Sequence, residues 1–142
     1  MPENSFDDLV ANIQNEIFEQ AEQDFGQAFV QRWKDPQFMQ KMELPDASAC
    51  LTGSCGDSME IYLQIENDTI VKASFFTSGC GASIVCGNTA CEVAKNKDLE
   101  QAAQLSGEDV LQILGGLPKE QEHCAHLAIQ TLREAIRIYW KR

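Results

Sequence analysis

The sequence predicts a mixed fold in which one small antiparallel sheet is set between helical segments. Three observations carry that expectation. Apolar residues recur at helical spacing over about residues 5–33 and again over about 119–140. Between residues 47 and 76 the period drops to two. Turn chemistry separates these regions, at Asp35-Pro36, at Pro45-Asp46 and at Gly115-Gly116 with Pro118.

In the first helix Phe6, Leu9, Val10, Ile13, Ile17, Ala21, Phe25, Ala28, Phe29 and Trp33 share the apolar spacing. Ser5 with Asp8 has the pattern of a capping box, and Gly26 is a point of bending or division. The first 31 residues hold seven acidic side chains and no Lys or Arg, so the outer face is acidic. Two readings of the apolar stripe stand: it packs on the domain, or it docks a partner or a second copy.

Residues 47–52 (ASACLT) read as a short strand. In 59–65 Met59, Ile61, Leu63 and Ile65 point one way, and 69–76 is rich in β-branched and aromatic residues. Glu66-Asn67-Asp68 joins the two as a hairpin, within a three-stranded antiparallel sheet. A helix over 83–96 carries Ile84, Cys91 and Ala94 on one side, and a short helix fits 98–104. Ser106 with Asp109 opens a further helix through Leu114. In the last helix Cys124, Leu127, Ala128, Leu132, Ala135, Ile136 and Tyr139 form the apolar stripe. His123 lies at its edge and His126 points away.

At 142 residues the chain is expected to form one folding unit. Its formal net charge of −11 argues against nucleic acid and anionic membrane surfaces, and suits basic protein partners or solubility. No stretch approaches the roughly 18–20 apolar residues of a membrane span. The N-terminus has neither a secretory pattern nor the basic character of a mitochondrial presequence, so a cytoplasmic protein is expected. In that compartment Cys50, Cys55, Cys80, Cys86, Cys91 and Cys124 are reduced thiols, buried, metal-binding or reactive.

Three of the six stand out by setting. Cys55 lies in GSCGD, between strands; Cys80 in SGCGAS, between a strand and a helix; Cys124 in EHCAH, near the start of the last helix. Glycines beside a thiol allow a bulky ligand to approach. A helix N-terminus favours the thiolate, the form that binds metal or attacks sulfur. Asp57 and His123 add an oxygen and an imidazole, and this mixed set suits zinc or an iron–sulfur centre. No CxxC pair occurs, so only the fold could gather these residues, and an interaction module with merely buried thiols stays open.

The order of these motifs carries a resemblance. GSCGD, then FFTSGCGASI, then GGLP and HCAHLA before a final helix, together with WKDP (Trp33 to Pro36), is similar to the IscU/NifU N-terminal family of iron–sulfur cluster assembly scaffolds. The likeness covers roughly residues 30–140. It implies an α+β fold, a small three-stranded antiparallel sheet with helices packed on one face. Residues 1–33 would be an N-terminal helical extension and 34–142 the scaffold domain. It implies a carrier rather than an enzyme, which assembles [2Fe–2S] clusters at Cys55, Cys80 and Cys124. Asp57 and His123 would be further ligands, with Asp57 linked to cluster lability. Sulfur would come as persulfide from a cysteine desulfurase, with Cys124 as the acceptor. Clusters would pass to apo-proteins, and the apo site would also accept Zn²⁺. A zinc-containing sulfur acceptor is the alternative for the same residues, and a homodimer is compatible with either.

The chain departs from the family at several points. An Hsp70-type chaperone reads an LPPVK-like segment in some members, where this chain has LPKEQE (Leu117 to Glu122). Cys86 and Cys91 replace small hydroxyl residues and are expected as core filler, as is Cys50 on its strand.

Overall fold

The structure, a computed structural model, describes residues 6–54 and 56–142. Two helices, α1 (Phe6–Phe25) and α2 (Gln27–Lys34), precede β1 (Ala47–Thr52), β2 (Ser58–Glu66) and β3 (Thr69–Thr77). Then come α3 (Gly81–Ala94), α4 (Leu99–Ala103), α5 (Gly107–Leu114), a 3₁₀ turn (Lys119–Gln121) and α6 (Glu122–Lys141). The sheet is antiparallel in the order β1-β2-β3. The α+β expectation and the antiparallel sheet are both met.

The period-two pattern sets the sheet's faces. Met59, Ile61, Leu63 and Ile65 of β2 are buried, while the residues between them are half-exposed. The apolar face is covered by α6, packed on β1 and β2, and by α3, packed chiefly on β3. Asn67 and Asp68 both take left-handed backbone (φ 52° and 58°), the geometry that a two-residue hairpin turn needs. A bulge beside Gln64 and Ile65 shifts the β2–β3 register by one residue.

The outer edge of β3 is covered in two places. Phe75 N–H donates to the Phe38 carbonyl and Gln40 N–H to the Phe75 carbonyl, each at 2.9 Å. Nearer the hairpin, Ile70 N–H donates to the Lys97 carbonyl at 2.9 Å, and Asn96 N–H to the Ile70 carbonyl at 2.7 Å. Covering an edge in this way blocks cross-chain strand pairing.

Gly26 (φ +93°) divides the first helix into α1 and α2. Beyond that point Phe29 and Val30 are buried, and Arg32 reaches Glu92 of α3 with two hydrogen bonds of 2.6 and 2.9 Å. Phe29 and Val30 of α2 thus join the core, and Arg32 ties this helix to α3. In α1, by contrast, Phe6, Leu9, Val10, Ile13 and Ile17 are exposed, Phe6 by 74%. The reading that this stripe packs on the domain holds only for its last two turns, where Ala21 is buried and Phe18 and Phe25 meet Trp33 and Phe29. Ser5 of the Ser5–Asp8 pair lies outside the described residues. The Ser106–Asp109 pair is observed, with the Asp109 carboxylate accepting from Ser106 N–H at 2.8 Å.

Two expectations are corrected. Helix α3 is buried nearly all round, and Ile84 of the expected apolar side is only half-buried. The cause is its run of Ala, Ser, Gly, Cys and Thr, which fit between the sheet, α2 and α6 on every side. Cys50 is exposed, not core filler. On β1 the inward positions are Ala47, Ala49 and Leu51, so strand alternation turns Cys50 outward, opposite Glu60.

Cys86 and Cys91 are core filler, 0% and 1% exposed. Burial pushes both thiols far above their ordinary value near 9, with the neighbouring Cys124 and Cys80 adding to the effect at Cys86 and Glu92 at Cys91. Their folded forms hold protons that the unfolded chain releases above pH 9. Stability is therefore fully present below about pH 9 and falls above it, by up to about 1.4 kcal/mol per pH unit for each thiol. Urea unfolding at pH 8 and pH 10 measures this loss, and Cys86→Ala/Cys91→Ala is expected to abolish most of it.

Candidate functional site

Three segments meet at one end of the sheet. The first is the β1–β2 loop, residues 53–57. Gly53 N–H donates to the Asp57 carbonyl at 2.8 Å, and Gly56 N–H to the Gly53 carbonyl at 3.0 Å. Gly56 has φ +91°, which an L side chain would strain. The tight loop leaves the Asp57 carboxylate directed at the second segment.

That segment, Ser78 to Cys80, joins β3 to α3. It is tied to the first by Ser58 N–H donating to Ser78 Oγ at 3.1 Å and by Thr77 Oγ1 donating to the Ser58 carbonyl at 2.6 Å. Gly79 N–H in turn donates to Thr77 Oγ1 at 3.0 Å. A β-carbon on Gly79 would lie 2.4 Å from Ser83 Oγ and 2.9 Å from Asp57 Oδ2. Glycine is thus required here by close approach, and Asp57 is brought against the residue next to Cys80. Cys80 itself is exposed and is the N-cap of α3. The Trp33 indole packs on the following residue, with ring atoms 3.1–3.3 Å from where a β-carbon on Gly81 would stand.

The third segment is the first turn of α6. Cys124 Sγ is 3.7 Å from Ser83 Oγ and 3.6 Å from His123 Nε2. Cys124 is buried and His123 exposed, so the pair spans from the interior to solvent. A groove of about 380 Å³ runs from Gly53 and Ser54 across His123 and His126. The His126 ring rests on Gly107 of α5, away from Cys124, as the helical spacing implied.

The fold therefore gathers Asp57, Cys80, His123 and Cys124 at one end, from positions distant in sequence. Cys55 lies outside the described residues. Among the described residues no three His, Cys, Asp or Glu side chains stand within joint reach of one metal ion. The donors present, thiol, imidazole and carboxylate, are nonetheless the types that iron and zinc accept. Ser83 was not singled out from sequence. Its signal was the spacing of three from Cys80, which puts it in the first turn of α3 facing α6.

Comparisons with known proteins identify the family to which this fold belongs. A family model described as the NifU-like N-terminal domain matches residues 25–142. The chain is 41% identical over 88 residues to "Iron-sulfur cluster assembly scaffold protein IscU 1" of Archaeoglobus fulgidus, a match over 62% of this chain and 58% of that protein. It thus spans little more than half the length of that relative. "Iron sulfur cluster assembly protein 1" of Trachipleistophora hominis is 30% identical over 132 residues, covering 90% of this chain and 94% of that one. The crystal structure of a nitrogen-fixing NifU-like protein (N-terminal) from Brucella abortus superposes with a TM-score of 0.66 at 12% identity. That likeness covers 85% of this chain and 97% of that chain, and is one of fold. With three converging segments at the end of an α+β domain and a family match over most of the chain, this protein belongs to the NifU-like N-terminal domain family.

Proposed function

We propose that the protein is a scaffold on which iron–sulfur clusters are assembled and from which they pass to apo-proteins. One observation carries the reading: Asp57, Cys80, His123 and Cys124 lie on three segments that meet at one end of the sheet, packed so closely at Gly79 that no side chain fits there. The names of the scaffold relatives support it. The cluster is cargo, so the protein is a carrier and not a catalyst.

In finer detail, the cargo is a [2Fe–2S] cluster and Cys55 completes the thiolate set with Cys80 and Cys124. The mixed set gives lability: an Asp57 oxygen or a His123 nitrogen holds iron less firmly than a fourth thiolate would. Sulfur arrives from a cysteine desulfurase. The Cys124 thiolate attacks the outer sulfur of the desulfurase persulfide, a new S–S bond forms, and the desulfurase thiolate leaves. The Ser83 hydroxyl stands 3.7 Å from Cys124 Sγ, within hydrogen-bonding reach of the sulfur, and Cys124 lies in the first turn of α6.

Anaerobic reconstitution with ferrous iron and sulfide tests the reading. The wild type is expected to acquire a visible chromophore with equal iron and acid-labile sulfide, and Cys55→Ser/Cys80→Ser/Cys124→Ser to lose it. If the triple variant assembles the same chromophore, the residue assignment is wrong. A wild type that stimulates the desulfurase yet never gains a cluster would instead be a zinc-containing sulfur acceptor.

A further inference from the structure

At the other end of α3 lies a feature that the scaffold reading does not use. Where β3's outer edge is left between the Phe38–Gln40 segment and the Asn96–Lys97 turn, there is a cavity of about 210 Å³. Lys41, Lys72 and Lys95 line it, and no acidic residue does, in a chain with 22 acidic and 11 basic residues. Neither of the two ion pairs found among the described residues involves these lysines. Two of their ammonium groups lie over aromatic rings instead, Lys41 at 4.8 Å from the Phe76 centroid and Lys95 at 5.9 Å from that of Phe38. Three lysines thus line one slot that no carboxylate lines.

A second, independent observation comes from Ser74, which lines the same slot. It is only 7% exposed, and its Oγ has no hydrogen-bond partner. Buried hydroxyls are nearly always paired, and one left unpaired is costly. Backbone geometry adds a further donor. Phe75 turns its N–H and C=O outward to residues 38 and 40, and Ala73, two residues earlier, presents its N–H in the same direction. Gln37 and Gln40 also line it. Lys95 is the C-cap of α3, and its charge offsets the negative end of that helix.

We propose that this slot binds a compact, multiply charged oxyanion of the phosphate class. The cavity is smaller than the roughly 300–1,000 Å³ of pockets for larger organic ligands. Lysine ammoniums act as point charges that can approach a tetrahedral anion from several sides, whereas planar carboxylates are matched best by the arginine fork. Ser74 Oγ–H and Ala73 N–H supply the directional contacts. The slot is distinct from the cluster site. Fourteen helical residues at about 1.5 Å each put the two ends of α3 about 20 Å apart.

Isothermal titration of the full chain at low ionic strength, with inorganic phosphate, pyrophosphate and citrate as separate probes, tests this. Saturable one-to-one binding of phosphate or pyrophosphate is expected, with citrate weaker. Lys41→Gln/Lys72→Gln is expected to weaken it by about tenfold or more, and Ser74→Ala by several-fold. Circular dichroism confirms that the variants fold; both lysine positions lie at the surface, and Ser74→Ala removes one oxygen. If neither phosphate nor pyrophosphate saturates the wild type, or if the lysine variant binds as tightly, the slot is no anion site. Equal affinity for citrate would overturn the phosphate assignment. Unchanged affinity in Ser74→Ala would overturn the role of the hydroxyl. Loss of cluster assembly in the triple cysteine variant would leave phosphate binding intact, so the two readings fail separately.

Discussion

Gly79→Ala is expected to lower cluster loading by about tenfold with every proposed donor still in place. The new methyl would stand 2.4 Å from Ser83 Oγ, 2.6 Å from Ser83 Cβ and 2.9 Å from Asp57 Oδ2. The carboxylate can swing away, but Ser83 Cβ is fixed by the first turn of α3, and Ser83 is 1% exposed. The loop bearing Cys80 must therefore move, at an overpacking cost of about 1–3 kcal/mol. Iron and sulfide content after reconstitution measures the effect on loading. The second change Ser83→Gly removes both of the closest atoms, so Gly79→Ala/Ser83→Gly is expected to recover part of the loading. If Gly79→Ala loads like the wild type, the close approach of the three segments at Gly79 has no part in holding cargo.

Phe75→Ala is expected to cost about 3–5 kcal/mol of folding stability. The side chain is 0% exposed, between the sheet and α3. Helix α3 sits so close that a β-carbon on Gly87 would be 2.5 Å from the Phe75 ring. No neighbouring side chain at Gly87 can move in to fill the void, which puts the cost at the upper end. The Phe75 backbone bonds to Phe38 and Gln40 survive the change, so the loss reads packing alone. Urea unfolding of wild type, Phe75→Ala and Phe75→Leu, the last expected to lose much less, separates ring volume from general disruption.

The legible parts of this fold were those with strong contrast between neighbouring residues. Met59, Ile61, Leu63 and Ile65 alternate with polar residues, and the strand was placed to within a residue at either end. Asn67-Asp68 announced its turn because both tolerate left-handed backbone. Helix α3 carried no such contrast: alanine, serine, threonine, glycine and cysteine differ little in polarity, so burial on all sides left no stripe to read. The exposed stripe of α1 marks the reverse limit, since helical periodicity shows that a face is apolar and not what covers it. Cys50 was misplaced although the alternation of ASACLT contained the answer, with Leu51 pointing inward and its neighbour necessarily outward.

For the candidate site, the sequence supplied residue types and the fold supplied adjacency. Asp57, Cys80, His123 and Cys124 were singled out by glycines, helix starts and the resemblance, but only the stitching of Ser58, Thr77 and Ser78 brings the first two segments together. Ser83 escaped notice because a serine in a helix has many unremarkable explanations, and its contact with Cys124 is made across 41 positions of sequence. The Lys41, Lys72 and Lys95 cluster was likewise invisible, each lysine coming from a different segment.

Assembly of the site from three remote segments has a thermodynamic corollary. No local fragment contains the donors together, so a partly unfolded chain has no site and binds no cargo through it. Every increment of binding energy is then added to the stability of the whole domain, through mass-action linkage. On the proposed scaffold role, loading would tighten the fold and delivery would relax it. The same coupling run backwards means that a partner able to favour a looser conformer would eject the cargo without touching a single ligand.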